Sequence, residues 1–144
     1  MTAPLYNEHI LRLTTEVPDR RLAAPMATSE KRSPVCGSRV TVDINLAADG
    51  RVSEIGMLAR ACALGQASAA LLAAHVVGRT PDELATARDT LAAWLAGEGA
   101  MPDWPGIEIF APALSHPARH PSIRLAFEAA AAAAAEARGE LTDA

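Results

Sequence analysis

Cysteine is scarce in this 144-residue chain, which has only two, and aromatic side chains make up just 3% of it. So few cysteines exclude a disulfide scaffold, and in a reducing compartment such a pair is buried, catalytic or metal-binding rather than bridged. No Lys/Arg-rich run is present and the formal net charge is −4, which argues against nucleic acid or an anionic membrane surface as the main partner. No stretch approaches the roughly 18 consecutive apolar residues of a membrane span. The opening MTAPLYNEHI has neither a basic nor an apolar leader region, so the cytoplasm is the expected location. Half the residues are apolar, enough for a core, and one domain over 1–144 is the expectation.

The patterning that is present divides the chain into three zones. Tyr6, Ile10 and Leu13 recur at helical spacing between Leu5 and Thr15, and Pro18 stops them. Residues 19–35 carry Pro25, Pro34 and a charged SEK-R cluster, which predicts an exposed irregular segment with one short strand near Met26. Val40, Val42, Ile44 and Leu46 then alternate with Thr41, Asp43 and Asn45, predicting a strand with one buried row and one in water. Asp49-Gly50 suits a hairpin turn, and Ile55, Met57 and Ala59 follow on a common face. Beyond Cys62 the period becomes helical through Leu64, Ala67, Leu71, Leu72 and His75-Val76, with Gly78 as terminator. Thr80-Pro81-Asp82-Glu83 reads as a capping box opening a helix to about Ala96. A helical piece is expected over 107–114, and a last helix from Pro117 or Pro121. Its Ala-rich tail, 129–144, is helical by propensity; an alanine run buries little, so its end is expected to fray. The fold class is therefore α+β, a small antiparallel sheet of about three strands covered on one face by helices.

Cys36 precedes the first hairpin strand and Cys62 lies where the second gives way to a helix. Pairing about Asp49-Gly50 sets residue 39 near residue 60, so the two cysteines can face one site. A thiolate at a helix N-terminus gains from the dipole and the unpaired amides, which suits a nucleophile or metal ligand. Two small buried hydrophobes remain the alternative, since the spacing is not that of a CxxC motif.

The order of motifs resembles the U-type iron-sulfur cluster scaffold family, of the IscU, SufU and NifU N-terminal type. The resemblance runs through Leu5-Tyr6, Pro34-Val35-Cys36-Gly37, the Ala61–Ala69 segment ACALGQASA, Val77-Gly78-Arg79-Thr80-Pro81-Asp82-Glu83-Leu84 and Pro117-Ala118-Arg119. It spans residues 5–128 and implies a non-enzymatic scaffold. Such a scaffold receives sulfur from a cysteine desulfurase, holds iron, a labile iron-sulfur cluster or zinc, and passes its cargo to acceptor or carrier proteins. By the same resemblance the first two ligands fall on Cys36, which would also be the sulfur acceptor, and on Cys62. The family's aspartate falls on Ser38 and its third cysteine on Ser122, and neutral hydroxyls are poor ligands for zinc or iron.

His120, two residues before Ser122, is a candidate replacement ligand beside the simpler reading of a surface histidine at a helix start. His75 and His9 read as packed or surface residues, and Trp94 and Trp104 as packing anchors. Three functions follow. The chain is a scaffold-like protein binding iron, a labile cluster or transferred sulfur through Cys36 and Cys62, or a docking module for a desulfurase or client that has lost the metal. The third is an enzyme with Cys36 as nucleophile, disfavoured because no histidine motif or oxyanion-type glycine cluster accompanies it. A zinc-dependent sulfur acceptor is a variant of the first, and a cluster shared by a homodimer would supply four cysteines from two copies.

Overall fold

The computed structural model describes residues 7–34 and 37–142. Asn7 caps the first helix, α1 (Glu8–Thr14), accepting a hydrogen bond from the Ile10 N–H at 3.0 Å. Three antiparallel strands follow in the order β1 (Ala27–Arg32), β2 (Arg39–Leu46) and β3 (Val52–Arg60). The β2–β3 register pairs Arg39 with Arg60, Val42 with Met57 and Ile44 with Ile55, as the alternation predicts. The connection is looser than a two-residue turn: Ala47 N–H donates to Arg51 O at 2.8 Å, and the register slips between Asn45 and Leu46.

The charged SEK-R cluster is not irregular. It is β1 itself, an edge strand whose outward side chains stay in water while Ala27 is buried. Nor do all the polar members of β2 face water, because Asp43 is fully buried. The reason lies upstream. The segment at residues 20–22 crosses the outer sheet face, where Met57 N–H donates to Arg20 O at 2.8 Å. Arg21 grips Asp43 through Nε at 2.7 Å and Nη2 at 2.9 Å, while the Leu22 N–H and the Thr28 hydroxyl donate to the same carboxylate. Gly56 permits the crossing, since a Cβ there would lie 2.6 Å from the Leu22 nitrogen.

Helices cover the other face. α2 (Ala63–His75) and α3 (Pro81–Leu95) precede two 3₁₀ segments, Ile107–Ser115 and Pro117–Arg119, and the long α4 (His120–Thr142) packs across β1 and β2. The capping box of α3 is formed, with Thr80 and Glu83 exchanging hydrogen bonds of 3.1 Å. The alanine run of α4 buries more than its composition predicts: Ala129, Ala130, Ala133, Ala134 and Ala137 are all at 0% exposure. Spaced at i, i+1, i+4, i+5 and i+8, they form one stripe, and their small side chains let the helix lie close to its neighbours. α2 also packs on α4, where the Ser68 hydroxyl donates to Ile123 O at 2.6 Å. Trp104 is a packing anchor as expected, donating from Nε1 to Leu71 O at 2.9 Å and meeting Phe127 edge-on at 5.2 Å. Among the described residues no helix is long and apolar enough to cross a membrane.

Candidate functional site

The residues on either side of Val35 and Cys36 are tied to one another. Ser33 N–H donates to Ser38 O at 2.9 Å, and Gly37 N–H donates to Ser33 O at 3.0 Å. Gly37 has φ +71°, a left-handed conformation that glycine adopts without strain. Val35 and Cys36 lie outside the described residues. Since Arg39 pairs with Arg60, the same register carries Ser38 to the level of Ala61, one residue before Cys62. Cys62 is a free, half-buried thiol at the N-cap position of α2, with φ −65° and ψ 172°. The first turn of that helix forms on its carbonyl, which accepts from Gln66 N–H at 2.9 Å.

Ser122 reaches the same end of the molecule through α4. A Cβ at Gly65 would stand 3.3 Å from Ser122 O, 3.6 Å from Ser122 Cβ and 2.7 Å from Ala61 Cβ, so the glycine lets the starts of α2 and α4 touch. Ser38 and Ser122 are both buried. Ser33, bonded through its N–H to Ser38 O, is also buried, and its Oγ has no hydrogen-bond partner among the described residues.

His120 is not brought to this end. Its ring lies against the 3₁₀ segment and Nε2 is 2.7 Å from Ala113 O. A carbonyl only accepts, so Nε2 carries the proton and is closed to metal. Two residues apart on an α-helix means about 200° of rotation, which turns His120 away from the Ser122 side and toward Trp94, Leu95 and Leu114. Among the described residues no group of three His, Cys, Asp or Glu side chains converges to hold a metal ion. Among the described residues the donors at this end are the Cys62 thiol and two buried hydroxyls, and hydroxyls are poor ligands for zinc.

On the solvent side of the sheet the same end is strongly basic. Arg32, Arg39 and Arg60 stand opposite one another on consecutive strands. Glu30 bridges the first two, with 3.0 Å to Arg32 Nε and 3.8 Å to Arg39 Nε. The hydrogen bond from Arg32 holds the Glu30 carboxyl below its usual range; desolvation opposes this, and the Thr41 hydroxyl and the arginine charges add to it. Composition hides this feature because the basic residues are scattered along the sequence and adjoin only through strand register.

A scan against family models finds no match, and a search of curated proteins finds none either. Solved structures do match. A NifU-like protein (N-terminal) from Brucella abortus is 35% identical, over 94% of this chain and 96% of that one, with a TM-score of 0.86. A protein described as an iron-sulfur cluster assembly scaffold for the SUF system, from Fervidobacterium islandicum AW-1, is 18% identical over 90% and 96% of the two chains, at a TM-score of 0.82. A hypothetical protein shares the fold at 17% identity and a TM-score of 0.70, over 90% and 99% of the chains. The sheet order, the helical cover on one face and identity at that level over nearly the whole chain agree, and this chain belongs to the U-type scaffold family as a NifU-like N-terminal domain.

Proposed function

We propose that the chain works in iron-sulfur cluster assembly as an acceptor and temporary holder of sulfur, with Cys36 and Cys62 as its two sulfur groups. The observation that carries this reading is the chemistry of the sheet end where the start of α2, opened by Cys62, meets Ser122 at Gly65, and where the Ser33–Ser38 turn leads into β2. The donors there beside thiol are buried hydroxyls, which hydrogen-bond a sulfur anion well and ligate a transition metal poorly. One protein of the same fold is named as an iron-sulfur cluster assembly scaffold for the SUF system, which supports the assignment.

In the step itself the thiolate of Cys36 attacks the terminal sulfur of a persulfide on a cysteine desulfurase. A new S–S bond forms, the donor's S–S bond breaks, and the donor cysteine leaves as a thiolate, so the chain carries a persulfide and no electrons are gained or lost overall. Iron or a labile cluster is then cargo, held by both cysteines or shared between two copies and passed to an acceptor or carrier protein.

The test is incubation with a cysteine desulfurase and free cysteine, followed by alkylation and mass spectrometry of the native chain, Cys36→Ala and Cys62→Ala. Persulfide on the native chain that is lost in Cys36→Ala supports the reading. A chain that binds the desulfurase and gains no sulfur is instead a docking module, the reading that Ser38 and Ser122 favour. Anaerobic reconstitution with iron and sulfide, read by visible absorption, separates a cluster-holding site from one that takes sulfur alone.

A further inference from the structure

We propose that the outer sheet face around Arg32, Arg39 and Arg60 is the docking surface for an acidic segment of the protein that delivers sulfur to this chain. The proposal rests on the sulfur-acceptor reading for the partner's identity, and on the sheet for everything else.

The three arginines occupy one rung, Arg32 opposite Arg39 and Arg39 opposite Arg60. Side chains directly opposite on antiparallel strands stand about 5 Å apart at Cβ, and like charges in that position destabilise the sheet. Compensation is incomplete. Glu30 serves both Arg32 and Arg39, Asp43 is fully engaged by Arg21, and exposed Arg60 has no ion-pair partner among the described residues. Within this rung and its neighbours, Arg21, Arg32, Arg39 and Arg60 therefore meet Glu30 and Asp43, while Glu54 on the same face lies at the far end of β3 against Asn45 and Asp19 lines a neighbouring pocket with Arg60, so the end of the sheet beside Cys62 carries a local positive excess in a chain whose formal net charge is −4.

The face also has a shape. Arg21, Glu30, Arg39, Thr41, Leu58 and Arg60 line a shallow groove of about 270 Å³. Leu58 supplies an apolar floor, and the guanidinium forks match carboxylates two hydrogen bonds at a time. Its place is the last rung before the thiol end, since Arg60 is two residues from Cys62 and Arg39 is next to Ser38. At about 3.3 Å per residue, a segment bound there lies within roughly 7 Å along the strand of the Cys62 backbone. Uncompensated charge that costs stability and adjoins the reactive groups is what a docking surface for an acidic partner requires.

The test measures the affinity of the native chain for a cysteine desulfurase at about 50 mM and about 300 mM NaCl, where screening changes strongly, beside Arg39→Glu/Arg60→Glu and a control, Arg88→Glu on α3. The native chain should lose about tenfold in affinity on raising the salt. The double variant should be at least about tenfold weaker at low salt and nearly insensitive to it, and the control should match the native chain. Arg60→Ala, which removes no ion pair or side-chain hydrogen bond among the described residues, keeps the test valid if the double variant folds poorly; it should weaken binding about threefold. Equal affinities for native and variants, or no desulfurase binding by the native chain, overturn the proposal. So does self-association that the double variant abolishes while desulfurase binding survives, because the occupant is then a second copy. Persulfide transfer, read on the same samples, fails independently: transfer unaffected by the arginine changes leaves the sulfur reading standing alone, and salt-dependent docking without transfer leaves docking standing alone.

Discussion

Replacing Asp43 by asparagine should unfold the outer face of the sheet before it harms the core. Each carboxylate oxygen accepts two hydrogen bonds: Oδ2 from Arg21 Nε and Leu22 N–H, Oδ1 from Arg21 Nη2 and the Thr28 hydroxyl. An amide keeps one acceptor oxygen and turns its NH₂ toward the other pair of donors. With the oxygen on the Leu22 side, the NH₂ donates to the Thr28 hydroxyl, which accepts as well as donates, so Leu22 and Thr28 both keep a partner. The bond from Arg21 Nη2 is lost, at about 1.5–3 kcal/mol for a hydrogen bond to a charged group. Arg21 is 45% exposed and returns partly to water, which keeps the total at about 2 kcal/mol. For a chain of this length that lowers Tm by roughly 6 °C.

The pH dependence provides a second reading of the same residue. Burial pushes the Asp43 carboxyl up, but the hydrogen bonds from Arg21, Thr28 and Leu22, with the Arg21 charge, outweigh it and hold the group below its ordinary value. A carboxyl depressed in the folded state stabilises above its unfolded pKa of about 3.9, and that stability is lost as pH falls through the lower folded value. Thermal denaturation followed by circular dichroism should therefore show a gap between native and Asp43→Asn that is full at pH 7 and narrows as the pH drops below about 4. A gap under about 1 kcal/mol at neutral pH, or one that does not shrink in acid, would refute the reasoning.

Other consequences are as direct. The pair Ser38→Asp/Ser122→Cys supplies the carboxylate and the third thiol that the family pattern has at these positions, and should bind zinc near one equivalent by metal analysis where the native chain does not. Gly65→Ala forces a Cβ within 2.7 Å of Ala61 Cβ and 3.3 Å of Ser122 O, so it should cost about 1–3 kcal/mol by denaturant unfolding. Thr80→Ala removes the hydroxyl that accepts from Glu83 N–H and should cost about 1 kcal/mol in the same assay. Arg60→Ala should leave Tm unchanged or slightly raised, because it relieves a like-charge rung.

What the sequence makes legible here is whatever is local or set by period. The hairpin register from Val40 to Ala59, the capping box at Thr80 and the switch to a helix after Cys62 are each decided by residues within a few positions of one another. β1 is legible only in part: a short strand near Met26 is expected and β1 starts at Ala27, but its SEK-R stretch has no alternating apolar row, and it is a strand because β2 offers it an edge to pair with. Asp43 looks like a solvent-facing residue until a segment about twenty positions upstream covers it. The alanine run of α4 carries little hydrophobicity per residue, so its burial follows from close approach to the strands and to α2, which no periodic pattern announces.

The candidate site divides along the same line. Cys62 at the start of a helix could be read from sequence, because the change of period and the helix start are local. His120 could not be judged that way: nearness to Ser122 along the chain suggested a shared site, and helical rotation with the Ala113 carbonyl sends its ring to another side. The arginine rung is the converse case, with residues 32, 39 and 60 far apart in sequence and adjacent in register. Both cases turn on the same physical fact. Periodic structure converts sequence distance into direction, so two residues apart on a helix face away from each other while twenty-one residues apart across a hairpin, from Arg39 to Arg60, stand side by side. The face bearing the rung is for that reason the part of this domain where substitutions report most clearly on a partner: it contributes little to the core, and its charges are left for another molecule to complete.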